Sequence, residues 1–340
     1  LETLLYPTDT RVALARAVDE AARFLGEGQP VALPTETVYG LAADATRPEA
    51  VLKIFEAKER PFFDPLIVHL PGPEWLERVV AIPEADRDLV ARLAAEFWPG
   101  PLTMVLPRQP LVPDLVASGL PTVAVRISAH PVFRAVVEAF QRPLAAPSAN
   151  RFGRISPTAS AHVMAELSGR IPCVVDGGAA AHGVESTIVA VAGGRMEILR
   201  SGPVTREELS ALGPVAEAGA VAKPVAPGQL KSHYAPRTPL RLLGLKDNWN
   251  DDFTLPEGKR LGLLAWNDPA PAVAARFAMV EQLSPRGELR EAATHLFAAL
   301  RRLDEAGLDA IIAESVPETG LGVAIMDRLR KAAHDFQFSE

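Results

Sequence analysis

Lys58 and Arg60 flank Glu59 immediately before a proline-bounded turn, residues 61–65. Farther along, His69 closes a short apolar run, Thr122 and Arg126 fall in an alternating segment, and Ser148-Ala-Asn150 follows Pro147. Two cations, a planar guanidinium on a strand and several hydroxyls suit a polyanion together with a small carboxylate. Plainer readings compete: a Lys-x-Arg is usually a solvated helix end, and a Ser-x-Asn is usually a turn or a cap. Arg126 resists such a reading, because a guanidinium inside an apolar strand needs a partner, protein or ligand.

Familiar signatures are missing. The sequence has no G-x-x-x-x-G-K-[ST] loop and no G-x-S-x-G elbow, and Gly320-Leu-Gly322 lacks the third glycine of a dinucleotide fingerprint. The histidines show no metal-ligand spacing, so no metal site is expected. Residue by residue, nothing yet names a reaction.

Short elements must hold these side chains. Residues 10–26 read as an amphipathic helix, with Leu14, Val18, Ala21 and Leu25 on one face. A strand-like run over 30–39 ends at Gly40, a helix follows over 48–58, and 65–70 is a short apolar strand. Period two over 122–128 puts Thr122 and Arg126 on one face. The same rule over 143–150 groups Ala146, Ser148 and Asn150, provided that the chain stays extended. Strands at 173–177, 185–191 and 195–200 complete a mixed-sheet α/β domain over residues 1–206. Residues 207–239 read as a linker or lid stiffened by proline. Over 240–340, strands at 240–245, 260–266, 277–281 and 310–316 alternate with helices at 268–276 and 287–305. That pattern predicts a small parallel α/β domain.

Composition bounds the function. The 340 residues are 48% hydrophobic and 23% charged, as in an ordinary globular protein. A formal net charge of −7 counts against a nucleic-acid coat, which depends on a surplus of Lys and Arg. The single cysteine, Cys173, fits a reducing compartment, and no stretch reaches the length of a membrane span. The first residues carry Glu2, Asp9 and Arg11 without a signal-peptide pattern, so the expected location is the cytoplasm. Proline stands out at 31 residues, and many of these flank the polar positions above, where stiff turns would pre-position side chains.

Seven motifs occur in order: 34–41 (PTETVYGL), 58–61 (KERP) with Pro65-Leu66, 97–103 (FWPGPLT), Val125-Arg126, 146–150 (APSAN), 183–188 (GVESTI) and 199–202 (LRSG). Together they resemble the YrdC-domain threonylcarbamoyl-AMP synthases. His233-Tyr-Ala-Pro236 and 320–325 (GLGVAI) resemble the long, two-domain form of that family. The resemblance implies a twisted YrdC-like α/β domain with a basic cavity, a small Rossmann-like C-terminal domain, and a linker folded over the site. It implies that L-threonine, bicarbonate and ATP, with Mg²⁺, give threonylcarbamoyl-AMP and pyrophosphate. The product would pass to a tRNA threonylcarbamoyl-transferase complex. Thr37, His69, Arg126, Ala146 and Ser186 fall where the family holds L-threonine. Arg60, Thr122, Ser148, Asn150, Ser156, Arg200 and Tyr234 fall where it holds ATP. Lys58 joins them, and Lys58 and Arg60 are the implied catalytic cations. One departure stands out: Asp64 occupies a position where many members have Asn, and a bare carboxylate there would repel a triphosphate.

Two other functions compete with this one. An RNA-binding module without catalysis would need a basic surface and interleaved aromatics, which the sequence lacks. A carbamoyl-adenylating maturation enzyme shares the YrdC domain, but such proteins carry zinc-binding cysteines.

Overall fold

A computed structural model describes residues 1–217, 226–229, 233–244 and 258–333. Two compact units divide the chain. The first comprises Leu1–Phe152, Ser156–Ala181 and Glu185–Gln229; the second comprises Gly153–Ile155, His182–Val184 and Leu230–Glu340. The division thus falls after Gln229. A helix, Arg206–Ser210, and a strand, Val215–Glu217, occupy the start of the segment expected as a linker or lid, and both belong to the first unit.

The first unit is built on one mixed sheet. In chain order its strands are β1 (Leu4–Pro7), β2 (Val31–Leu33), β3 (Gly40–Asp44), β4 (Ile67–His69), β5 (Leu102–Pro107) and β6 (Thr122–Arg126). β7 (Leu144–Ala145), β8 (Cys173–Asp176), β9 (Thr187–Ala192), β10 (Arg195–Arg200) and β11 (Val215–Glu217) complete it. The spatial order is β1-β8-β2-β3-β7-β4-β6-β5-β9-β10-β11.

Alternation along the central strands sorts their side chains. Val68, Met104, Val123, Val125 and Val189 point into the main core with Tyr39, Ile54 and Leu93. The opposite face carries a small apolar patch, Ile67, Val105, Ala124 and Ile188. Two residues from each patch member, on β4, β5 and β6 and just ahead of β9, stands a polar one: His69, Thr103, Arg126 and Ser186. Register carries the row across the sheet, pairing His69 with Arg126 and Ile67 with Ala124. This is how the sequence places a row of polar groups beside an apolar floor.

One expected strand is shorter than its apolar pattern and another stays paired past its regular stretch, for reasons visible in the hydrogen bonds. The run over 30–39 pairs only as β2. Pro34 has no N–H, and the Thr35 hydroxyl accepts from the N–H groups of Thr37 (3.1 Å) and Val38 (3.2 Å), turning the chain. The run over 143–150 counts as regular strand only at β7, because Pro147 has no N–H to complete its pair, yet it keeps the same antiparallel register beyond it. Ala146 N–H donates to Ile67 O at 2.9 Å, Leu41 N–H to Pro147 O at 2.7 Å and Ala149 N–H to Tyr39 O at 2.8 Å, and Gly40 bridges Ser148. Ala146 and Ser148 thus lie in an extended, paired segment, and Asn150 follows where the pairing ends.

The second unit has four parallel strands, β12 (Leu240–Leu242), β13 (Leu261–Ala265), β14 (Met279–Gln282) and β15 (Ala310–Ala313), in the order β12-β15-β13-β14. Helices Leu289–Glu305 and Leu321–Ala332 pack with it. This is the expected small parallel α/β domain. The helix read over 268–276 spans only Pro271–Ala274, and residue 245 of the first expected strand lies outside the described residues.

Candidate active site

Arg126 ends β6 with 3% of its surface exposed, so its charge must be answered nearby. Nε donates to Gly100 O at 3.1 Å and Nη1 to Thr37 Oγ1 at 3.0 Å, while Nη2 is ion-paired with Glu36 Oε1 at 2.6 Å. The protein thus supplies the partner that the strand pattern demanded. A guanidinium has five N–H donors, so both terminal nitrogens keep capacity for a ligand. Glu36 is itself pinned: Ser128 Oγ donates to Oε2 at 2.5 Å and Ala129 N–H to Oε1 at 3.1 Å. Burial pushes its carboxyl up, but the Arg126 charge and these donors outweigh that and hold it down to about 2.

His69 lies opposite Arg126 in the β4–β6 register and packs its ring 4.8 Å from that of Phe133. Burial and the Arg126 charge drive its imidazole down to about 3, with Glu36 opposing. It is neutral at working pH. Its Nδ1 has no hydrogen-bond partner among the described residues.

The second cationic group is built by a helix end. Helix Pro48–Lys58 stops at Glu59, which takes a left-handed conformation (φ 54°) and turns the chain sharply between Lys58 and Arg60. Glu59 is held there by Arg151 at 2.5 Å and Arg170 at 2.8 Å. Lys58 is fully buried, and its ammonium donates to the carbonyls of Ser148, at 2.5 Å, and Asn150. The two halves of the K-x-R and S-x-N pattern are thereby fastened together, with one ammonium hydrogen left over. Burial and the neighbouring Arg60 push the Lys58 amine well below its ordinary range. Arg60 donates from Nε to Asp64 O (3.2 Å) and from Nη2 to Pro65 O (2.9 Å), and pairs with Asp64 Oδ2 at 2.8 Å.

Arg200, the last residue of β10, adds a third buried cation. Its Nη2 donates to Ser186 Oγ at 3.1 Å and its Nη1 to Pro227 O at 3.3 Å; Ser186 Oγ also shares a hydrogen bond with Thr103 Oγ1 at 2.8 Å. Residues 226–229 lie on this face, since Ala226 is buried against Ile67, Val105, Ala124 and Ile188. Part of the expected linker thus covers the apolar floor beside the polar row.

The remaining expected residues distribute as follows. Ala146 is buried beside Gly40. Asn150 is buried and donates from Nδ2 to Arg151 O at 2.7 Å. Ser156 bonds Glu185 Oε1 at 2.5 Å. Thr122 begins β6 on the Arg126 face, roughly 13 Å away along the strand at a 3.3 Å rise per residue. Tyr234 belongs to the second unit, where its ring stacks on Phe297 at 5.6 Å and Arg328 lies 5.4 Å from its centroid.

Sequence reasoning missed Glu36, Thr103, Ser128 and Glu185. For Glu36 a signal existed: a carboxylate between two threonines in an otherwise apolar stretch, a residue that ends up 7% exposed. Thr103 and Ser128 carried none, because a strand hydroxyl is ordinary.

Fold and site define an α/β enzyme that sets a buried arginine, Arg126, in the polar row of its sheet and ties that row through Ser186 to Arg200, one of three cations acting on Asp64. Residues 23–202 match the family model for the Sua5, YciO and YrdC proteins, described as "Telomere recombination", and residues 204–334 match "Threonylcarbamoyl-AMP synthase, C-terminal domain". Threonylcarbamoyl-AMP synthase of Bacillus subtilis (strain 168) is 41% identical, over 93% of this chain and 92% of its own. The Pyrococcus abyssi enzyme of the same name is 40% identical over 92% and 93%. A crystal structure of P. abyssi Sua5 complexed with L-threonine superposes with a TM-score of 0.87 at 37% identity, covering 98% of each chain. The chain belongs to the threonylcarbamoyl-AMP synthase family, in its two-domain Sua5 form, and is an enzyme of the nucleotidyltransferase kind. Membership as an enzyme sets aside the reading as an RNA-binding module without catalysis. Among the described residues no helix is long and apolar enough to cross a membrane.

Proposed function

We propose that this chain is a cytoplasmic enzyme that joins L-threonine, bicarbonate and ATP into threonylcarbamoyl-AMP and pyrophosphate, for modification of tRNA by a separate threonylcarbamoyl-transferase complex. The observation that carries the reading is the link between the sheet's polar row and the cations: Ser186, which shares a hydrogen bond with Thr103 of that row, accepts from Arg200, and Arg200 acts with Lys58 and Arg60 on Asp64. A carboxylate docks on the free donors of Arg126, which Glu36 and Thr37 hold in a fixed plane. Thr37, His69, Ala146 and Ser186 surround the rest of the threonine. Neutral His69 offers its unpaired Nδ1 as a hydrogen-bonding group, not as a charge.

The threonine amine, once it has lost a proton to solvent, attacks the bicarbonate carbon; water leaves and a carbamate forms. A carbamate oxygen then attacks the α-phosphorus, and pyrophosphate departs. Neither Glu36 nor His69 is basic enough at neutral pH to take the amine proton, so their work is positioning. Arg60, Arg200 and the remaining Lys58 hydrogen face the phosphates, where fixed positive charge opposes the charge that builds on the leaving group. Thr122, Ser148, Asn150 and Ser156 line the nucleotide side, and the family resemblance assigns Tyr234 to ATP as well. Mg²⁺ enters as part of the MgATP substrate, where it offsets charge on the phosphates. The segment at 226–229, bound by Arg200, shields the short-lived carbamate from water.

The test is product identification. With ATP, Mg²⁺, L-threonine and isotope-labelled bicarbonate, mass spectrometry should find labelled threonylcarbamoyl-AMP. A labelled carbamoyl-AMP formed from carbamoyl phosphate without threonine would instead assign the maturation-type reaction.

A further inference from the structure

Asp64 is fully buried, with three cations, Arg60, Lys58 and Arg200, acting on it. Its Oδ2 lies 2.8 Å from Arg60 Nη2, yet neither carboxylate oxygen has an aligned hydrogen bond among the described residues. That is an unusual way to bury a carboxylate, which normally accepts several hydrogen bonds when withdrawn from water. Burial accordingly pushes its carboxyl up, against the pull of those three cations.

Arg60 does not depend on this carboxylate for its aim. Its Nε and Nη2 also donate to the backbone carbonyls of Asp64 and Pro65, and its guanidinium carbon sits 5.9 Å from the Phe152 ring centroid. These anchors remain if the carboxylate lets go. A group of cations with fixed anchors and one loosely held anion is the arrangement of a charged site filled by an internal stand-in.

We propose that Asp64 is a displaceable counter-ion, occupying the cation cluster in the free enzyme, yielding it to the polyphosphate of ATP, and so weakening nucleotide affinity. This deepens the reading above and rests on it for the identity of the anion. Asp64 is thus a residue that tunes nucleotide affinity through Arg60, and not a catalytic residue.

Asp64→Asn keeps the shape and removes the charge. Calorimetry with MgATP, and separately with inorganic pyrophosphate, should show binding roughly tenfold tighter than in the unaltered enzyme. The KM for L-threonine should stay unchanged, which a general loosening of the fold would not allow. Asp64→Ser, which also removes the carboxylate, must shift affinity in the same direction. Unchanged or weaker binding of both ligands overturns the proposal. Weaker MgATP binding with a steeper Mg²⁺ requirement also overturns it, and assigns Asp64 to the metal instead. An unaltered enzyme that binds ATP but makes no threonine-dependent product breaks the functional reading, while the Asp64 comparison can still be read from binding alone.

Discussion

The first unit buries two arginine–carboxylate pairs, Arg126 with Glu36 and Arg60 with Asp64, and they are built differently. Glu36 accepts hydrogen bonds from Ser128 and Ala129 besides pairing with Arg126, and its carboxyl is held down to about 2. Asp64 is ion-paired with Arg60 and accepts no aligned hydrogen bond among the described residues, and burial pushes its carboxyl up. The first carboxylate is a fixture that orients a clamp for one small substrate. The second is a loose charge in a cluster suited to a larger anion. Hydrogen bonding to the ionised form, more than distance between the charges, separates the two.

The largest expected effect that can break this contrast is on stability. Glu36→Ala leaves a buried guanidinium and two donors unanswered and should cost about 3–5 kcal/mol in urea unfolding. Asp64→Ala leaves Arg60 with its backbone acceptors and should cost roughly 1 kcal/mol. Equal losses would erase the distinction.

Acid unfolding is the next way to sharpen it. The Glu36 carboxyl falls from the ordinary 4.5 to about 2 on folding, so it contributes stability above 4.5 that is lost as pH falls towards 2. The amount is roughly 3 kcal/mol at 1.36 kcal/mol per unit. Glu36→Gln should flatten the stability curve over that window. Asp64 works the other way: its raised value means that its ionised form burdens the fold, a burden that lifts as pH falls through the folded-state value. Asp64→Asn should therefore hold or raise stability at neutral pH.

Substrate dependence separates the two arginines themselves. Arg126→Lys keeps the charge but loses the planar fork, and should raise the threonine KM about tenfold with little change in the ATP KM. Arg60→Lys should act chiefly on turnover and ATP. A shared shift in both constants for both variants would mean one undivided site. The smallest effect is a null one: because His69 is neutral down to about 3, the activity profile between pH 5 and 8 should show no step that His69→Asn removes.

Much of this site was legible in the sequence, and the illegible part has a physical cause. Period two put Thr122 and Arg126 on one face, and the guanidinium announced its need for a partner. The partner itself was hidden, because Glu36 and Ser128 lie 92 residues apart and meet only through sheet order. Lys58 was readable as a cation but not as the fastener of the 148–150 segment, since its acceptors are backbone carbonyls that no residue type reveals. The strand pattern over 30–39 overran its ladder where Pro34 and the Thr35 hydroxyl diverted the backbone, while the run over 143–150 kept its register as far as Ala149. The division of the chain after Gln229 was also invisible, because a short strand and a buried alanine in a proline-rich stretch leave little periodic signal.

The central claim is that the arginine clamp and the cation cluster serve one coupled reaction. Pyrophosphate release from ATP in the presence of Mg²⁺ and bicarbonate, measured with and without L-threonine, tests it most directly. The account predicts release that depends on threonine and falls to background when threonine is omitted. Equal release without threonine would contradict it.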